Sequence, residues 1–229
     1  MKYLFLRIIP HFIWNFKKIP VYPINIFENA ETICYNEYDI FVTSKDGSDM
    51  LGKIQAWDEK ILLKLTHKRT SMLNKIMILI TTVGNHGYIW FVFALPFLLM
   101  NKWRLTGFTI LLAMCFTWLG GEVTIKHIVG RVRPCNKSFE KYLLIENPPH
   151  YSFPSGHSSS SFAVSMVMLF MCQQLFIPVF IFAALMAFSR IYLLVHYPTD
   201  VMAGAIFGII CGCIAVPLSA YIPFFDFQF

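Results

Sequence analysis

Two histidines, three cations and one carboxylate fall into three short clusters in this chain, and together they are the groups that phosphoryl chemistry uses. Lys126 is followed after six residues by Arg133-Pro134; Pro154-Ser155-Gly156-His157 comes next; Ser189-Arg190 is followed by five residues, His196, three more residues and Asp200. Lys126, Arg133 and Arg190 lie on three separate segments and can converge on one small polyanion, the arginines offering planar donor forks that match phosphate oxygens. Transfer of a phosphoryl group through the protein needs a nucleophile and a separate proton donor for the leaving oxygen. His196 has Asp200 four residues on, across Pro198, a spacing that lets the carboxylate hold one ring nitrogen and present the other to phosphorus. His196 is therefore expected to be the nucleophile and Asp200 its orienter. His157 is left as the general acid, and later as the base that activates water against a phosphohistidine.

Ser155 and Gly156 stand where a helix is expected to begin, and unpaired N–H groups at a helix start favour an anion. Gly156 allows close approach of the backbone, while the Ser155 hydroxyl can either cap the helix or donate to a phosphate oxygen. This set holds no carboxylate cluster for a divalent cation, and its three cations already offer the charge stabilisation that a metal would give. The chemistry is expected to use no metal and no cofactor.

The elements that must position these groups are apolar helices. With 56% hydrophobic and 14% charged residues in 229, the chain has more apolar surface than a soluble domain of that length buries, which points to a bilayer. Spans are expected at Met72–Val83, Tyr88–Met100, Leu105–Ile125, Ser158–Cys172, Phe176–Leu194 and Val201–Tyr221, so the fold class is an all-α polytopic membrane bundle of about six helices. Ala56 to Lys68, with Trp57, Ile61, Leu62 and Leu65 set against Asp58, Glu59, Lys60 and Lys64, reads as an amphipathic surface helix. Residues 1–52 are an N-terminal extension without an assigned role, cytoplasmic or interfacial, and 53–229 form the membrane domain. Within the extension, Met1 to Lys18 is broken by Arg7, Pro10 and His11 and lacks a small-residue cleavage site, so it reads as an aromatic-rich interfacial helix and not a signal peptide.

The basic turn Asn101-Lys102-Trp103-Arg104 is expected on the cytoplasmic side. Alternation then sends 126–157 and 195–200 outside and leaves the Lys-rich stretch 53–75 inside. The outer segment 126–141 nevertheless carries five basic residues, Lys126, Arg131, Arg133, Lys137 and Lys141, against the charge rule. The anion-binding motifs explain that excess.

Blander roles are the better reading elsewhere. The net charge of +6 is scattered and forms no stripe, which sets nucleic acid aside. The six cysteines form no C-x-x-C pair, so neither zinc nor a disulfide framework is implied. Lys137 and Lys141 are interfacial anchors, Arg131 lies between anchor and ligand, and His127 and His150 flank the motifs without a role in them. His11, His67 and His86 are interfacial or loop residues. Ser158 to Ser161 and the four-residue repeat Gly204, Gly208, Gly212 serve close packing within the bundle. Glu122, four residues before Lys126, is either its helical partner or a plain buried polar group. Phe139, Tyr142, Leu143 and Leu144 are the candidates to guide a lipid chain.

On its three motifs the sequence resembles the type 2 phosphatidic acid phosphatase superfamily over about residues 70 to 220. Tyr151-Ser152-Phe153 before the second motif, and Ala187-Phe188-Ser189-Arg190-Ile191-Tyr192 in the third, are most similar to short bacterial members acting on undecaprenyl diphosphate or phosphatidylglycerophosphate. The resemblance implies a six-helix membrane bundle, a site near the outer surface, a covalent phosphohistidine on His196, and a membrane lipid phosphate as substrate, with undecaprenyl diphosphate preferred. It leaves the oligomeric state open. Two other readings stand beside this one: a vanadate haloperoxidase, against which the spans argue, and a protein that binds or flips lipid phosphates without turnover, against which intact His157, His196 and Asp200 argue.

Overall fold

The computed structural model describes residues 50–149 and 151–221, and all their regular structure is helical. The interfacial helix expected within Met1–Lys18, and most of the 1–52 extension, lie outside the described residues. In chain order the helices are α1 (Met50–Thr66), α2 (Ser71–Val83), α3 (Tyr88–Leu99), α4 (Arg104–Thr117), α5 (Gly156–Met171), α6 (Gln173–Tyr192) and α7 (Pro198–Ala220). Beyond Thr117, α4 continues through a π-helical stretch, Trp118–Ile125, and a last α-turn, Lys126–Val129.

The bundle is inside-out relative to a soluble one. Along α7, Met202, Ile206, Ile210 and Ile214 recur every four residues on the exposed face, while Gly204, Gly208, Cys211, Gly212 and Ala215 face inward. That arrangement suits hydrocarbon outside and close helix contact inside. A Cβ on Gly204, Gly208 or Gly212 would come within 2.6, 2.1 and 2.7 Å of the carbonyl oxygens of Ser155, Ser159 and Ala163, so α7 and α5 meet backbone to backbone. Ser158, Ser159 and Ser161 are fully buried in that contact region, and Trp90 Nε1 donates to Ser161 Oγ at 3.2 Å. The packing roles expected for the serines and the glycine repeat are what the bundle uses. Its apolar centre is Trp90, Ile110, Ala113, Val164, Val167 and Met168, from α3, α4 and α5.

The spans differ from the sequence expectation in two respects, the short pair α2 and α3 and the 16-residue α5, which is expected as a span at Ser158–Cys172 and is not among the helices long enough to cross a membrane. Among the described residues three helical stretches are long and apolar enough to cross a membrane, Asn101–Asn136, Gln173–Tyr192 and Pro198–Ala220, and a fourth arises if α2 and α3 count together. At 13 and 12 residues, α2 and α3 each rise only about 20 Å, short of the ~30 Å hydrocarbon layer. They form one path bent by 45° at Gly84–Gly87, where His86 (φ 54°) and Gly87 (φ 71°) are left-handed. The two spans read at Met72–Val83 and Tyr88–Met100 reach the length of a crossing only as this bent pair.

That count moves α1. Asp58 of α1 pairs with Arg131, and Arg69, just beyond α1, donates to the carbonyls of Tyr142 and Tyr192. Residues 55–69 therefore lie at the same end of the bundle as the 126–157 segment, not at the opposite end where the charge argument placed them. The basic turn at 101–104 is at the far end, some 22 residues and roughly 30 Å of helix away from Lys126. Of the basic residues in that stretch, Arg69 is held by specific contacts, with the carbonyls of Tyr142 and Tyr192. The buried face of α1 also differs from expectation: Asp58 and Leu62 are both at 0% exposure whereas Trp57 is 48% exposed.

Candidate active site

Four helix ends bring the three motifs together. The π-helical turn delivers Lys126, buried at 5% exposure, and Gly130 (φ 61°) ends the helix so that the chain runs extended into Arg133. Lys126 Nζ lies 2.8 and 2.7 Å from the two oxygens of Glu122, so the helical partnership considered for Glu122 is the one formed. Arg133 Nη1 donates to Val195 O at 2.9 Å and sits 3.1 Å from His196 Nε2, while its Nη2 reaches Pro149 O at 3.3 Å.

Gly156 and His157 open α5, with Ser155 as N-cap residue. The backbone N–H of Ser155 donates to Asp200 O at 3.1 Å, tying the start of α5 to the start of α7. His157 Nε2 faces Asn85 Oδ1 of the α2–α3 break at 3.4 Å, and a Cβ on Gly84 would come within 3.1 Å of the His157 ring. Arg190 near the end of α6 is 3% exposed and donates to Thr81 Oγ1 of α2. Its backbone oxygen accepts from Val195 N and His196 N at 3.2 and 3.3 Å, closing a tight loop through Leu194 (φ 61°). That loop is why five residues separate Arg190 from His196: it folds His196 back beside the arginine.

Asp200 is the third helical residue of α7, and its Oδ2 accepts the Tyr197 N–H at 2.9 Å. The same oxygen is 3.7 Å from His196 Nδ1, which has no hydrogen-bond partner among the described residues. With Nε2 accepting from Arg133, the hydrogen-bond pattern assigns the His196 proton to Nδ1, facing Asp200. Burial holds the His196 imidazole well below its ordinary protonation range, and Arg133, Arg190 and Lys126 push it lower still. His196 is therefore neutral at working pH, with its Nε2 lone pair directed at the cations.

Lys126, Arg133, Gly156, His157, Arg190 and His196 line one cavity of about 860 Å³. Ser155 and Asp200 do not border it. The Ser155 hydroxyl is fully buried, makes no cap bond, and accepts from Ser158 Oγ at 3.0 Å, so neither role weighed for it is taken in this geometry. Phe139, expected to guide a lipid chain, is instead packed against Leu62, Leu194 and Tyr197, with Tyr142 beside them. Leu143 and Leu144 likewise pack against the cluster of Met77, Tyr192 and Leu193. The apolar wall of the cavity comes from elsewhere, from Phe91, Leu111, Met114, Cys115 and Trp118 of α3 and α4.

Sequence reasoning missed Asp58, Thr81 and Asn85, and left Arg131 undecided. Arg131 bridges Asp58 and Asp200, with Nη2 on Asp58 Oδ2 at 2.7 Å and Nη1 on Asp200 Oδ1 at 2.6 Å. One signal was available for Asp58: at helical spacing it shares a face with Leu62 and Thr66, both buried, and a carboxylate on such a face needs a partner. His127 Nδ1 donates locally, to Val123 O at 3.1 Å, and His150 lies outside the described residues.

Known proteins resemble this chain in sequence and in fold. An undecaprenyl-diphosphatase of Sulfolobus acidocaldarius is 32% identical over 146 residues, covering 63% of this chain and 69% of that protein. Phosphatidylglycerophosphatase B of Bacillus subtilis is 28% identical over 172 residues, 69% of this chain and 80% of its own. The crystal structure of a transmembrane PAP2-type phosphatidylglycerolphosphate phosphatase from Bacillus subtilis superposes with a TM-score of 0.63 at 25% identity, over 77% of this chain and 90% of that one. Residues 102–223, which carry all three motifs, match the PAP2 superfamily. With that match spanning more than half the sequence, and Lys126, Arg133, His157, Arg190 and His196 of the motifs lining one cavity, the chain belongs to the PAP2 superfamily and is a helical membrane phosphatase.

Proposed function

We propose that the protein hydrolyses undecaprenyl diphosphate to undecaprenyl phosphate through a phosphohistidine on His196. The observation that carries the chemistry is His196 Nε2 placed 3.1 Å from Arg133 Nη1 at the wall of a cavity that Lys126 and Arg190 also line. A terminal phosphate drawn to the three cations lies beside a neutral imidazole nitrogen. The Nε2 lone pair forms the N–P bond as the bridging P–O bond to the lipid monophosphate breaks, and His157 protonates the departing oxygen. Burial, Arg190, His196, Lys126 and Arg133 disfavour protonation of His157 until the anionic phosphate offsets the cations. The cations take up charge on the phosphoryl oxygens, and Asp200 offsets the positive charge left on the ring. His157, now a base, activates water, which displaces His196 and releases phosphate.

The lipid assignment rests on two supports: the apolar wall of Phe91, Leu111, Met114, Cys115 and Trp118 leads from the cations toward the lipid-facing side, and the relative from Sulfolobus acidocaldarius is named for that activity. The solved Bacillus subtilis neighbour supports phosphatidylglycerophosphate as a second reading, with phosphatidic acid beside it. The extracytoplasmic face of the cell membrane is proposed for the site on the family resemblance, since with residues 53–75 at the site end the charge bias no longer favours that orientation. Such a placement suits recycling of a cell-wall lipid carrier. Residues 1–52 are proposed as an extension to the membrane domain.

The test is phosphate release by the purified full chain in detergent from undecaprenyl diphosphate, phosphatidylglycerophosphate and phosphatidic acid, with and without a chelator. Fastest release from the diphosphate, unaffected by chelator, is expected. Release from none of the three would sink the enzymatic reading, and a higher kcat/KM on phosphatidylglycerophosphate would replace the substrate.

A further inference from the structure

The family match begins at residue 102, yet a buried carboxylate outside it touches the catalytic motif. Asp58 of α1 is fully buried at the site end of the bundle. Its Oδ1 accepts the backbone N–H of Thr199 at 3.0 Å and its Oδ2 accepts from the Thr199 hydroxyl, so α1 caps the first turn of α7 from outside. That turn carries Asp200 and follows His196.

Arg131 links the two carboxylates. Its Nη2 donates to Asp58 Oδ2 and Gln55 Oε1, both at 2.7 Å, and its Nη1 to Asp200 Oδ1 at 2.6 Å and Thr199 Oγ1 at 2.7 Å. The guanidinium plane rests over the Tyr197 ring, 4.0 Å from its centre. Every donor direction that Arg131 uses is thus taken up by α1 or by the start of α7. By fixing Oδ1, Arg131 fixes the rotation of the Asp200 carboxylate and leaves Oδ2 facing His196 Nδ1.

The charges matter as much as the geometry. A lone Arg131–Asp200 pair would be neutral and would offer little to the cationic ring that phosphorylation leaves on His196. Two carboxylates on one guanidinium leave one net negative charge beside that ring. We propose that Asp58, acting through Arg131, is a positioning residue for Asp200 and His196, so that α1 is a working part of the reaction centre. The proposal rests on the phosphohistidine reading above. It predicts an effect on turnover and little on substrate capture, because among the described residues the Asp58–Arg131–Asp200 bonds run to Gln55 and Thr199, and the Asp200 Oδ2 bond to Tyr197.

The experiment compares the full chain with Asp58→Asn, Arg131→Gln and the double variant. Phosphate release is measured in detergent, with rates normalised to sites counted by calorimetric binding of inorganic phosphate. Each single variant is expected to lose about tenfold or more in kcat with KM within about threefold of wild type. The double variant is expected to be no more than about threefold worse than Arg131→Gln alone, since one link is already broken. Asp58→Asn within twofold of wild type would overturn the proposal, and so would losses that multiply in the double variant, because a purely structural cap on Thr199 acts whether or not Arg131 is present. If Asp58→Asn does not fold, Arg131→Lys, which cannot bridge both carboxylates, carries the test: an unchanged kcat there overturns the proposal. A wild type silent on every lipid phosphate would instead defeat the phosphohistidine reading itself.

Discussion

Glu122 faces Gly156 so closely that a Cβ on the glycine would sit 2.3 Å from its Oε1. The space that Gly156 leaves is filled by the carboxylate that holds Lys126. Gly156→Ala should therefore displace the end of a flexible side chain, at small cost in stability, and move Lys126 with it. Expected is a melting temperature in detergent within a few degrees of wild type, together with a fall of about tenfold or more in kcat/KM for phosphate release. A fully active Gly156→Ala would show that the lysine position does not depend on this contact.

The two histidines should fail differently. Without His196 no N–P bond can form, so His196→Ala should neither turn over nor become labelled. His157→Ala should lower turnover by about 10²- to 10⁴-fold. Because its loss also slows attack by water, rapid acid-free quenching should trap phosphoenzyme on that variant when the leaving group is a good one. Label on His196→Ala, or none on His157→Ala, would reverse the assignment.

The pH dependence follows from the neutral nucleophile. His196 is held well below its ordinary value of 6.5 by burial and by Arg133, Arg190 and Lys126, so activity is present above the depressed value and is lost as pH falls through it. The acid limb of kcat/KM should lie below about pH 6.5. Arg133→Gln removes a cation 3.1 Å from the ring, and its acid limb should move upward even as its rate falls. Comparing both enzymes on one substrate cancels the ionisation of the substrate; a limb that stays put or moves down would contradict the account.

The cavity wall should decide what tail is accepted. Leu111→Trp narrows the apolar side without touching the cations, so KM for a long-chain lipid phosphate should rise several-fold while KM for a water-soluble phosphate monoester stays near wild type. Equal effects on both substrates would mean that the tail takes another path.

The three motifs were legible because each lies at a helix end, where a fixed spacing on one segment suffices to name the ligand. Glu122 was legible as a partner because the i, i+4 relation to Lys126 is local, and the glycine repeat of α7 because its period is a helix face. Thr81 and Asn85 were not, and Asp58 showed only as a carboxylate sharing a helix face with Leu62, since each reaches the site from a segment whose distance in sequence carries no geometric meaning. Arg131 stayed ambiguous for the same reason: its role depends on Asp58, 73 residues earlier. The lipid-guiding residues were misplaced because apolar character alone does not distinguish a side chain that packs under a loop, as Phe139 does, from one that borders open space, as Leu111 does.

The π-helical stretch Trp118–Ile125, marked by Thr124 Oγ1 reaching Leu119 O at 2.8 Å, sets the azimuth of Lys126 about its helix. Ordinary α winding over the same eight residues would turn everything downstream by roughly 100° until Gly130. The lysine would then look into lipid, with its sequence neighbours and its hydropathy unchanged. In this protein a reactive group is aimed by a winding number, so substitutions within Trp118–Ile125 that restore ordinary α winding at the same length are expected to abolish phosphate release while sparing the melting temperature of the bundle.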